Sequence, residues 1–206
     1  MASELLLPLF PLEVVLLPET TLPLHIFEER YKLMIGEAVE QRSEFGIVFS
    51  KENSMMNVGC TAAVERIMKR YDDGRLDILT RGQRRFELLF LDEQKPYLRG
   101  AVHFFDDEAA EAPSTDAAGR LTGLFRQALG LLPAQPSGSA SPAQFSNTFR
   151  IADMLPLDLE AKQRLLSSRS EAERVGLMCQ YLEVLLPRLE RARRAERSAR
   201  GNGQGG

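Results

Sequence analysis

The side chains here with the chemistry of a nucleophile or a neutral-pH base are few: Cys60 and Cys179, His25 and His103. A thiol enzyme needs a base within hydrogen-bond reach of the sulfur. The best candidate pair is Cys60 with a histidine, but Cys60 follows "VG" at the entry to an apolar run, where it reads as a buried spacer. His25 lies within an apolar run and reads as a satisfied core residue, while His103 alternates with Val102 and Phe104 and so belongs to the opposite strand face. Two cysteines are too few for a zinc site or a disulfide framework, and no Cys/His cluster has ligand spacing. None of the five lysines (Lys32, Lys51, Lys69, Lys95, Lys162) follows a glycine, so no G-x-x-x-x-G-K-[ST] phosphate loop exists. The residues thus point away from catalysis, metal and cofactor, with a Cys60 thiol enzyme the weakest of three functional readings.

Charge leaves binding chemistry open. Overall the chain is slightly acidic, 26 Lys+Arg against 29 Asp+Glu, which gives no global attraction to nucleic acid or anionic lipid. Locally, Arg66, Lys69, Arg70, Arg75, Arg81, Arg84 and Arg85 outnumber Glu65, Asp72, Asp73 and Asp77 by +3. RNA binding through Arg66, Arg70, Arg81, Arg84 and Arg85 is therefore the alternative function. A stacking surface also needs exposed aromatics, yet only Tyr71 and Phe86 interrupt this run and Phe86 is patterned inward. Solvated strand faces explain the charges better, and nucleic acid is not the expected partner. The arginines from Arg188 to Arg200 read as a solvated helix end, with docking to an acidic partner as the sharper alternative. The acidic "FDDEAAE" at Phe105–Glu111 reads as a hinge.

The elements that must hold these residues begin with "LFPLEVVLLPETTLPLHIF", Leu9 to Phe27. Its prolines exclude a membrane helix, and an acidic "MASE" lacks the basic start of a secretory signal. Brief buried strands remain, and with them a cytoplasmic protein with reduced thiols and no membrane contact. Tyr31, Met34, Ile35, Ala38 and Val39 repeat at helical spacing within Glu28–Gln41. The strand-like runs "FGIVFS", "TAAVERIMKRY", "RLDILTR", "RRFELLFL" and "YLRGAVHFF" follow, joined at Asp73-Gly74 and at Arg81-Gly82-Gln83, where glycine suits a tight hairpin or a bulge. They read as an antiparallel meander. Beyond Glu111 the period is helical: Leu121, Leu124, Phe125, Ala128 and Leu132, then Phe145, Phe149 and Ala152, then a helix over Leu157–Ser167, then one opened by a "SEAE" capping box. Pro187 is expected to kink or end that last helix. The fold class is α+β, with subdomains 1–110 and 111–200 and a flexible glycine-rich tail at 201–206.

The order of the pieces "LPLFPLEVVLLPETTLPLHIFEERYKLMI", "FGIVF", "VGCTAAV", "DGRLDILTRGQRRFEL", "YLRGAV" and "IADMLPLDLEAKQRLL" resembles the substrate-binding amino-terminal domain of the Lon protease family in stand-alone form. The resemblance implies a PUA-like antiparallel β pseudobarrel with one inserted helix, followed by a C-terminal helical bundle. It also implies non-catalytic binding of unfolded or extended polypeptide, with a protease or other protein as a partner, because Lon's ATPase loop and Ser-Lys pair lie outside this domain. "IFEERY" falls at the family's acidic-Arg-Tyr signature, so His25, Phe27, Glu28, Arg30 and Tyr31 are the candidate polypeptide-binding residues. The charges of "FEERY" and "GQRRF" need partners if buried, and Glu28 or Glu29 is expected to make a structural ion pair or helix-end contact, with Arg85 as the partner.

Overall fold

The computed structural model describes residues 6–52, 54–108, 112–132 and 147–201, with side chains described to residue 195. Two compact units emerge, Met1–Asp106 with Ala152–Ser167, and Asp107–Ile151 with Ser168–Gly206.

The first unit is built on six strands: β1 (Leu7–Leu12), β2 (Thr21–Ile26), β3 (Phe45–Lys51), β4 (Ser54–Arg70), β5 (Leu76–Asp92) and β6 (Arg99–Phe105). Helix α1 (Glu29–Gln41) separates β2 from β3. The sheet runs β2-β5-β4-β3-β1-β6, and β6 also pairs with β5. It is a mixed sheet. β1 and β3 are parallel, Leu9 opposite Gly46, across a connection that carries β2 and α1. That pair corrects the all-antiparallel meander, and its cause lies in the insertion: a helix between two neighbouring strands provides the length that a parallel return requires.

The hairpin expected at Asp73-Gly74 forms. Gly74 takes φ 81°, and Tyr71 and Arg75 close the turn through the 3.0 Å bond from Tyr71 N to Arg75 O. No hairpin forms at Arg81-Gly82-Gln83: β5 runs on through it, with its register against β4 shifting between Gly82 and Arg85. Gly82 is needed there for closeness instead. It exchanges backbone bonds with Glu19 and Thr20 at 2.9 Å, and a Cβ on it would lie 2.2 Å from Leu17 O. Inside, Phe86 packs with Leu7, Leu9 and Val48, with Leu88 and Val102 against them. α1 buries Tyr31, Met34, Ile35 and Ala38, the stripe its spacing predicts. Each of the larger three contributes about 1.5–3 kcal/mol by leaving water.

Helix α4 (Leu159–Ser167) belongs with this sheet. Its buried Gln163 donates to Val58 O of β4 at 3.0 Å, beside buried Leu165 and Leu166. The sequence reading had grouped it with 111–200. An amphipathic period shows that one face is covered but not what covers it.

In the second unit, α2 (Thr115–Leu131) starts at Ser114, whose Oγ accepts from Ala117 N at 3.2 Å, and buries Leu121, Phe125 and Ala128. It packs along α5 (Glu171–Gly201), which buries Val175, Met178, Cys179, Leu182 and Leu186. Only half of the capping box forms: Ser170 Oγ accepts from Glu173 N at 3.3 Å, while the Glu173 carboxylate binds Ser168 Oγ. α5 continues through Pro187 and does not end there. The ring removes a single helical donor, which a helix already packed for four turns tolerates. The short α3 (Thr148–Asp153) precedes α4. Phe145 and residues 202–206 of the expected tail lie outside the described residues.

Candidate functional site

The segment around "IFEERY" forms the turn from β2 into α1. Thr21 to Ile26 zip antiparallel onto Arg81 to Leu76, which places His25 opposite Asp77. His25 is not a core residue: its side chain is 45% exposed, and its Nδ1 lies 2.6 Å from Asp77 Oδ1. Tyr71, at the end of β4, donates its hydroxyl to the other Asp77 oxygen at 2.8 Å. These two hydrogen bonds, from His25 first and Tyr71 second, hold the Asp77 carboxyl below its usual range. Phe27 stacks on His25 with ring centroids 5.9 Å apart and is 59% exposed. Tyr71 meets the edge of His25 and receives Lys69 and Arg75 on its ring. The result is an exposed aromatic and imidazole surface fixed from beneath by one carboxylate.

Of the other candidates there, Arg30 is exposed, pairs with Glu28 at 2.8 Å and lies over the Tyr31 ring. Tyr31 itself is buried against Phe10, centroids 4.0 Å apart, so it supports the surface from behind. Glu28 and Glu29 make the expected ion pairs, but not with Arg85. Glu28 bonds Arg30 and Glu29 bonds Lys32, each within its own turn of chain. Arg85 is buried elsewhere, over Phe105, and donates to Leu166 O at 3.5 Å. Short-range partners within reach of a helix start outcompete a distant one that would require ordering both side chains.

The five basic residues of the alternative reading do not form one surface. Arg81 pairs with Glu65 at 3.2 Å, and Arg84 pairs with Glu44 at 3.1 Å and covers Phe104. Arg85 is buried, while Arg66 and Arg70 are exposed on β4. Cys60 is fully buried on β4, and burial pushes its thiol up to about 12. A sulfur so placed is a packing group at neutral pH.

Two features escaped the sequence reading. A cleft of about 510 Å³ is lined by Leu6, Pro8, Glu37, Arg84, Lys95 and Tyr97 among others. In it Lys95 donates to Glu37 at 2.8 Å and to the Tyr97 hydroxyl at 2.9 Å, and Tyr97 donates to Glu37 at 2.5 Å. Hydrogen bonds from Lys95 and then Tyr97 hold the Glu37 carboxyl below its usual range. Such a triad closes on itself and anchors the loop after β5 to α1. The second feature is the end of β5, where Leu89, Phe90 and Leu91 are 64%, 50% and 44% exposed. The signal was present in "ELLFLD", whose four consecutive apolar residues break strand alternation. Among the described residues, no group of three His, Cys, Asp or Glu could hold a metal ion, and no helix is long and apolar enough to cross a membrane.

Residues 6–184 match the family model described as the ATP-dependent protease La (LON) substrate-binding domain. The chain belongs to the LON substrate-binding domain family. Its sheet and helices superpose on a Lon N-terminal domain protein from Xanthomonas campestris with a TM-score of 0.67 at 25% identity, covering 85% of this chain and 98% of that one. The N-terminal domain of a Mycobacterium avium complex Lon protease shares the fold, with a TM-score of 0.65 at 16% identity, over 86% of this chain and 98% of that one. Lon protease of Anaeromyxobacter dehalogenans is 23% identical over 192 residues, 85% of this chain and 23% of that protein. Lon protease of Parabacteroides distasonis is 32% identical over 110 residues, 49% of this chain and 13% of that protein. The chain thus spans about a quarter or less of the Lon proteases it matches, and the match is to the substrate-binding domain.

Proposed function

We propose that this chain is a non-catalytic polypeptide-binding module that holds unfolded or extended protein and presents it to a partner such as a protease. The observation that carries the reading is the match of residues 6–184 to a domain described as substrate-binding. The exposed surface of Phe27, His25 and Arg30, backed by Glu28 and the buried Tyr31, supports it, since an aromatic surface beside a charged helix start suits flexible chain of mixed composition. In the same reading the sheet unit is a PUA-like pseudobarrel, because the pairings β5-β4-β3-β1-β6 return to β5. The packed α2 and α5 form the core of a C-terminal helical bundle, and the protein works in the cytoplasm.

Titration of the purified chain with fluorescein-labelled unfolded casein, with native folded lysozyme as control, tests this reading. Micromolar or weaker binding of casein alone is the expected result, with no ATP hydrolysis and no casein cleavage. Labelled single-stranded RNA at 50 and 200 mM salt is the counter-probe. Salt-tolerant RNA binding without casein binding overturns the reading.

A further inference from the structure

We infer that an extended apolar polypeptide segment adds as a strand to the open edge of β5 at Leu88–Asp92. The inference rests on the polypeptide-binding reading above and says where and by what bonds the chain is held. β5 has two neighbours over most of its length, but they do not end together. Pairing with β6 continues to Asp92 opposite Arg99, whereas pairing with β4 stops at Glu87 opposite Val58. The preceding β4 residues, Ser54 and Met55, have ladder partners on their β3 side, Lys51 and Ser50, but none on their β5 side. Among the described residues, five positions of β5 therefore have a strand on one side only. Backbone donors and acceptors on the other side face no ladder.

That edge is unlike a guarded one. Natural sheet edges usually carry charges or proline, yet this one presents Leu89, Phe90 and Leu91 in succession, all exposed. A register shift between Leu88 and Phe90 turns neighbouring side chains outward together. Leu88 remains packed against the Phe86 cluster, so the edge is anchored to the core and not frayed. Five residues span roughly 17 Å, room for two or three ladder bonds flanked by apolar contacts. Backbone bonding of this kind accepts any sequence that can extend, and the apolar side chains favour segments that a folded protein would bury. Glu87 and Glu93 bracket the apolar run, so the fitting segment carries basic rather than acidic flanks. The same carboxylates disfavour RNA.

The start of β5, where His25 pairs with Asp77, and this edge lie at opposite ends of one 17-residue strand, so substitutions separate them. The experiment uses the full chain and a labelled peptide, KKVTVFVTVKK, alongside unfolded casein. Comparison peptides carry N-methyl groups on alternate backbone nitrogens or EE flanks in place of KK. The inference expects tenfold or greater loss of affinity on N-methylation, on exchange to acidic flanks, and in Leu89→Ser/Phe90→Ser, whose thermal unfolding stays unchanged because both side chains are exposed. Val184→Ser, at an exposed apolar position on α5 outside both surfaces, is expected to alter the peptide's affinity less than threefold. Equal binding of the N-methylated peptide, or unaltered peptide binding by the double variant, overturns the inference. If casein still binds, the broader reading survives that result; if neither probe binds the parent chain, both fall. A dimer seen by sedimentation that dissociates in the double variant, with peptide affinity unchanged, assigns the edge to self-association and also overturns it.

Discussion

Arg174 is clasped by Asp107: Nη1 and Nη2 donate to the two carboxylate oxygens at 2.7 and 2.5 Å. The guanidinium is only 2% exposed, and its remaining hydrogens meet Glu171, Thr148 and Ser168 while its face covers Phe149. A cation in the first turn of a helix opposes the macrodipole, so these carboxylates are what make the position tenable. Arg174→Ala leaves two partly buried carboxylates without their cation and is expected to cost about 3–5 kcal/mol. Asp107→Asn, with Glu171 still present, is expected to cost less than half of that. Thermal unfolding followed by circular dichroism checks both, and equal losses would contradict the shared role of Glu171.

Gly82→Ala forces a methyl to within 2.2 Å of Leu17 O, a backbone atom that cannot swing aside. The strand must shift, and roughly 1–3 kcal/mol of destabilisation is expected. Gly119→Ala, in α2 with nothing within 4 Å, is the contrasting case and is expected to gain roughly 0.5–1 kcal/mol. Urea midpoints of the two variants measured together would show opposite signs.

Glu37 sets an acid limit. Hydrogen bonds from Lys95 and Tyr97 lower its folded-state carboxyl relative to the unfolded chain. The folded protein therefore binds this proton less readily, so the contribution is complete above the ordinary carboxylate range and is lost as pH falls through the depressed value. Glu37→Gln is expected to flatten the dependence of the urea midpoint on pH between about 5 and 3. An unchanged slope would show that the triad contributes nothing.

How far the sequence could be read follows from the range of each signal. Tyr31, Met34, Ile35 and Ala38 announce α1 because helix periodicity is local, and Asp73-Gly74 announces its hairpin for the same reason. Gly82 left hairpin or bulge open because a glycine signals special backbone without saying whether it turns or is approached. The parallel β1–β3 pair, the placement of α4 on β4 and the partners of Arg85 and Arg174 depend on residues tens of positions apart, which no local period encodes. At the candidate surface, His25 looked like a core residue because its neighbours are apolar. Strand alternation puts it outward between the partly covered Leu24 and buried Ile26.

The thiol supplies the last prediction, because it separates an inert packing group from a nucleophile. Cys60 lies on β4 opposite Arg85, fully buried, with its Sγ 3.4 Å from Thr61 O. Burial raises its pKa to about 12, against which the nearby Arg85 charge is a smaller, opposing effect. At pH 8 roughly one molecule in 10⁴ would carry the thiolate, and that one is out of reach of reagent. Cys179 is also buried and raised by burial, so a Cys179→Ala background isolates the Cys60 signal. In that background, reaction with Ellman's reagent is expected to run at least 100-fold slower for the native chain than in 6 M guanidinium. Its rate should rise with urea in step with unfolding. Labelling of native Cys60 within seconds at pH 8 would contradict its burial and return a thiol-based activity to consideration.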